Sequence, residues 1–130
     1  MKKKYLAKIN AKDSHGLQLI SACCFEAKLK VNELKYLKKN QIFLIFLQRF
    51  ARESKQNKEK INSVCKFEFV ESVKSKNINQ SNENIILKLI AIDLLKNKDK
   101  FDINLIFNNN SFITLSTEII EVTLEDQNKI

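Results

Sequence analysis

His15 is the only histidine in the chain, and the cysteines are Cys23, Cys24 and Cys65. These are the side chains best suited to nucleophilic or metal chemistry. A Cys–His dyad needs nucleophile and base in hydrogen-bond contact. On a shared helix, the spacing from His15 to Cys23 amounts to about 12 Å of axis, so that pairing is excluded. Cys65 reaches His15 only through tertiary structure. The expected place of His15 is a solvated turn, and that of the cysteines is the core. One histidine and cysteines without a CxxC spacing do not compose a zinc cluster. Asp99 and Asp102 flank a turn, and Glu121 and Glu125 share a strand face. Both pairs are expected on solvated faces. A single glycine leaves no phosphate-cradling loop, neither GxGxxG nor GxxxxGK. The chain therefore reads as non-enzymatic, with no cofactor and no metal.

Binding chemistry is better represented. Arg49 and Arg52, with Lys55, Lys58 and Lys60, cluster at a strand end and the loop after it. Lys28, Lys30, Lys35, Lys38 and Lys39 lie along the preceding hairpin, with Tyr36 among them. Cations for phosphates and a π-face for bases suit single-stranded nucleic acid. The plainer reading is a solvated face in a lysine-rich chain. Cys65-Lys66-Phe67-Glu68-Phe69 has the aromatic-x-aromatic form of RNA-recognition strands without their glycines. Phe67 and Phe69 are accordingly assigned to the core. The binding candidates are Tyr36, Lys39, Arg49 and Arg52.

The chain that must position these groups has 130 residues, 44% of them hydrophobic and 29% charged, which fits one globular domain spanning 1–130. Lysine, asparagine and isoleucine, the residues of A- and T-rich codons, are abundant, so the net charge of +8 is weak evidence for a polyanionic partner. Residues 1–60 carry 15 basic and 5 acidic side chains, whereas residues 61–130 carry 8 and 10. A basic front and a slightly acidic back can pair across neighbouring strands or leave one anion-attracting side. An odd number of cysteines points to free thiols in a reducing compartment. After the basic start at residues 1–4, Lys8, Asn10, Lys12 and Asp13 interrupt any apolar leader. The longest apolar runs, 42–47 and 85–87, fall far short of the roughly 20 residues that span a membrane. A cytoplasmic location without membrane contact is the expectation.

Periodicity predicts an α+β fold, mostly antiparallel, in the order strand, helix and about seven strands. Residues 3–9 form a first strand. Asp13 or Ser14 caps a helix whose stripe is Leu17, Ile20, Cys24 and Ala27. From Lys28 the period changes to two, is disturbed at Asn32-Glu33, and resumes to Leu37 as a bent strand. Residues 38–40 make a turn with Asn40 at positive φ. Residues 41–50 form a strand apolar on both faces, hence covered on both sides. Residues 52–62 and 74–84 are polar loops, and 63–73 is one strand with Cys65, Phe67 and Phe69 inward. Residues 85–95 form another two-faced strand, with a helix as its rival. After a turn at 97–100, a meander ends the domain, with turns at 108–110 and strands near 101–107, 112–116 and 120–124. One helix covers one sheet face. The other face needs the sheet to curl into a half-barrel, or a second copy to pack on it as a homodimer.

Laid out this way, the chain resembles a bacterial family, domain-of-unknown-function family 2948. The shared features are Ser21-Ala22-Cys23-Cys24-Phe25-Glu26-Ala27 in the helix, Tyr36-Leu37 before the hairpin, and Arg49-Phe50 with Glu53 after the returning strand. They continue with residues 87–92, Ile113-Thr114-Leu115, residues 118–121 and Leu124-Glu125-Asp126. Departures fall at Lys38, where the family tends to proline, at Phe25, which replaces a polar residue, and at Ala51-Arg52. The resemblance implies a fold and no mechanism. Two functions stand against each other: a non-catalytic protein-interaction or accessory domain, and a basic domain for single-stranded nucleic acid.

Overall fold

A computed structural model describes residues 7–50 and 60–127. The single-helix expectation holds among these residues. Helix α1 spans Ser14–Cys23 and follows strand β1, Lys8–Ala11. Asp13 is the N-cap, in extended conformation, with its Oδ1 accepting the Gly16 N–H at 2.8 Å. Gly16 serves close approach: a Cβ there would lie 3.0 Å from the Ala11 Cα. The backbone of α1 thus sits directly on β1. Leu17 and Ile20 are buried as the stripe requires, but the helix stops at Cys23. Glu26, at φ 67, then reverses the chain, and the buried Ala27 is reached through that turn. Glu26 N–H donates to Leu89 O at 2.7 Å and Leu89 N–H to Ala27 O at 2.8 Å, which fixes the exit of the helix on the sheet.

The remaining strands are β2 (Lys28–Lys30), β3 (Leu34–Leu37), β4 (Ile42–Phe50), β5 (Lys60–Phe67), β6 (Val70–Lys76), β7 (Ile86–Asn97), β8 (Lys100–Phe107), β9 (Ser111–Thr117) and β10 (Val122–Asp126). Nine strands follow the helix, rather than about seven, because two extended stretches are broken. The first break is a 3-10 turn at Val31–Glu33, where the Glu33 carboxylate accepts the Lys30 N–H at 2.8 Å. This is the disturbance seen at Asn32-Glu33, and it lets β2 and β3 serve different neighbours. The second break corrects the single strand at 63–73: Phe69 takes φ 60, and the chain bends between β5 and β6. Phe69 is consequently 44% exposed instead of in the core.

All described pairings are antiparallel, in the order β1-β10-β5-β4-β2-β7-β8-β9-β6, with β3 also on β4. The sheet curls without closing into a barrel. β2 is the junction: its Lys28 faces Gln48 of β4 on one side and Lys88 of β7 on the other. The inner row of β4, Phe43, Ile45 and Leu47, shares one core with Ile103, Leu105, Ile113 and Leu115 from β8 and β9. The outer row, Ile42, Leu44 and Phe46, is only half-buried, so β4 is not fully covered on both faces. Helix α1 packs on β1 and β7.

Of residues 85–95, those from Ile86 onward lie in strand β7 and none in a helix, and a register shift between Leu89 and Ala91 explains their two-faced pattern. Ile90 is 37% exposed while Ile92 is buried. The polar stretch at 52–62 gives way to strand at Lys60, with Ile61 buried; its residues 52–59 lie outside the described residues. β6 extends to Lys76, into the stretch expected to be loop. Residues 38–40 form a 3-10 turn, and Gln41, not Asn40, takes the positive φ. The 108–110 turn is as expected, with Asn109 and Asn110 both at positive φ.

Candidate functional site

Arg49, expected at a binding surface, is completely buried and paired with Asp126. Its Nε donates to Asp126 Oδ1 at 2.9 Å and its Nη2 to Oδ2 at 2.7 Å. Ser63 Oγ donates to Oδ1 at 2.6 Å and the Ala7 N–H to Oδ2 at 2.7 Å, so four donors surround one carboxylate. Burial pushes the Asp126 carboxyl up, but the hydrogen bonds from Arg49, Ser63 and Ala7, with the guanidinium charge, outweigh it and hold the group below its ordinary value. This clasp joins β4, β5, β10 and the entry to β1. It organises structure and presents no cation to a surface ligand. The signal was in the sequence: Arg49 continues the inward row Phe43, Ile45, Leu47, and Asp126 continues the row Val122, Leu124.

The other candidates scatter. Tyr36 turns inward; its ring centroid lies 6.5 Å from that of Phe43, and its hydroxyl donates to Val70 O at 2.8 Å. Lys39 is exposed on the 38–40 turn. Arg52 lies outside the described residues. Tyr36, Lys39 and Arg49 therefore do not gather into one basic, aromatic face. Phe67 is fully buried, as assigned, 6.3 Å from Phe43 between ring centroids.

His15 is exposed in the first turn of α1. Cys24 and Cys65 are buried, and neither is in a disulfide. Burial, with the neighbouring Cys24, pushes the Cys65 thiol well up. No group of three His, Cys, Asp or Glu side chains able to hold a metal occurs among the described residues. Front and back charges do meet across strands, at Lys8–Glu125 as well as at Arg49–Asp126.

What the fold builds instead is a cleft where the curled sheet stays open. At one end β3 and β6 are tied together: Tyr36 bonds Val70 O, and Val70 N–H donates to Gln41 O at 2.8 Å. At the other end, the connection from β6 to β7 crosses toward the 3-10 turn, with Asn32 N–H on Glu83 O and Val31 N–H on Ile85 O. Between these ties lies a cleft of about 570 Å³, within the roughly 300–1,000 Å³ range of ligand sites. Leu34, Tyr36, Phe43, Val73, Ile78 and Ile113 give it an apolar lining, and Asn32, Lys35, Ser75, Gln80 and Glu83 a polar rim. β6 is the last strand of the sheet path, so the edge it turns away from β9 has no described strand beside it. A smaller depression of about 360 Å³ lies between β2, β4 and β5 on the outer face, beside Lys28, Phe46 and Val64.

A one-helix domain on a curled, open antiparallel sheet, with a cleft in its seam, is the class defined here. Over residues 7–130 the chain matches the family of proteins of unknown function DUF2948, and it belongs to that family. No curated protein and no solved structure matches it significantly.

Proposed function

We propose that the protein is a non-catalytic interaction domain that binds an extended segment of a partner protein along the free edge of β6. The observation that carries this reading is the position of that edge. Val73 and Ser75 of β6 line the cleft, so a strand added beside them would place every second side chain over its apolar lining. Main-chain hydrogen bonds would supply affinity, and the cleft would select the side chains. None of Cys23, Cys24 and Cys65 is in a disulfide, which supports a reducing compartment for this activity. No described helix is long and apolar enough to cross a membrane.

A photo-reactive residue at position 80, on the rim of the cleft, tests the reading. Cross-links to one partner, mapped to a single extended segment and lost with Ser75→Trp, are the expected result. Ser75 is exposed, so the bulky replacement fills the cleft without disturbing the core. Cross-linking that ignores Ser75→Trp would remove the cleft from the interaction.

A further inference from the structure

We infer that the segment bound at β6 alternates apolar and acidic side chains; the inference rests on the strand-addition reading above and names its chemistry. The two faces of β6 differ sharply. After the bulge that displaces Glu71, Val73 and Ser75 point to the cleft, while Ser72, Lys74 and Lys76 occupy the opposite face. Lys74 and Lys76 are exposed, and among the described residues no carboxylate pairs with either. The nearest acidic residue along the strand, Glu71, is already paired with Lys100.

A strand laid beside β6 shares its pleat, and neighbouring side chains on one face contact each other. Residues beside Val73 and Ser75 meet Leu34, Tyr36, Phe43 and Ile113, and burying apolar surface there is favourable. Residues between them meet Lys74 and Lys76, where glutamate or aspartate gains two unpartnered cations. Lys35 adds a third cation on the rim, and Glu83, at the far end where the β6–β7 connection crosses, offsets it. A nucleic acid would satisfy the lysines but carries no alternating apolar side chains for the cleft. Lysines on a sheet edge also deter edge-to-edge aggregation; that role alone would give no preference among ligands.

The test uses the full chain and three synthetic peptides. In each, valine alternates with glutamate, lysine or serine, and polar flanks keep it soluble; fluorescence anisotropy reads the binding. The glutamate peptide should bind about tenfold more tightly than the lysine peptide at low salt, with the gap narrowing as salt screens it. The double variant Lys74→Glu, Lys76→Glu should invert that order. Equal binding of all three peptides, abolished by Ser75→Trp, would overturn the acidic chemistry and leave strand addition standing. Absence of peptide binding, or binding indifferent to Ser75→Trp, would overturn both. Binding of single-stranded oligonucleotide at the same lysines in place of the peptides would do the same.

Discussion

Arg49 and Asp126 stand 77 positions apart and meet as a two-point ion pair with no exposed surface on either side chain. Removing one partner of a buried ion pair is costly. Asp126→Ala should lower unfolding stability by about 3–5 kcal/mol in urea titration, with Arg49→Met milder than Arg49→Ala because the former refills the space. A loss below about 1 kcal/mol would mean that water enters the site readily.

The same clasp sets an acid limit. The folded-state pKa of Asp126 is lowered, so its contribution to stability is fully present above the unfolded value, near 3.9, and is lost as pH falls through the folded value. Urea midpoints of the unaltered chain should decline below about pH 4 more steeply than those of Asp126→Asn. Parallel curves would assign the acid sensitivity to other carboxylates.

Gly16→Ala sets two effects against each other. Alanine favours a helix by up to about 1 kcal/mol, but its Cβ would stand 3.0 Å from the backbone of Ala11. Backbone cannot swing aside as a side chain does, and such crowding costs about 1–3 kcal/mol. A net loss in thermal midpoint is expected, with α1 displaced from β1.

Thr117 is fully buried, and its hydroxyl has no hydrogen-bond partner among the described residues. Thr117→Val should therefore raise stability by about 1 kcal/mol in the same urea assay, since a desolvated polar group is exchanged for a methyl of similar size. A decrease would show that the hydroxyl finds a partner in solution.

Thiol labelling should separate the cysteines. Cys23 is partly exposed, whereas Cys24 and Cys65 are buried and the Cys65 thiol is held protonated. A disulfide-exchange reagent should modify Cys23 first under native conditions and reach the other two only as denaturant opens the core. Simultaneous labelling of all three would indicate that the core beneath α1 opens readily.

Elements that follow one local rule were legible. Asp13 as cap, the inward Leu17 and Ile20, and the β8–β9 hairpin are where capping, the helical period and period two place them, whereas β10, expected to finish a meander after β9, pairs instead with β1 and β5. The misreadings came from rules that need tertiary knowledge. The Phe69 reversal depends on the Val70–Gln41 bond, a partner invisible along the strand. Arg49 was read by its charge when its parity with Phe43, Ile45 and Leu47 already turned it inward. The cleft was not legible because it arises from two strands, β3 and β6, that fail to pair.

The pairing of β1 with β10 also bears on how the chain is made. Ala7 and Asp126 lie 119 positions apart, yet each completes the other's hydrogen bonding. While the ribosome is still producing the later strands, β1 lacks the edge of β10 and Arg49 lacks the Asp126 carboxylate. The β1 and β5 end of the sheet must therefore wait for β10, whereas the strands from β4 to β9 already have one another to pair with. Slow completion of the fold follows from such distant pairing, with the unmatched edge of β5 exposed to other chains until then.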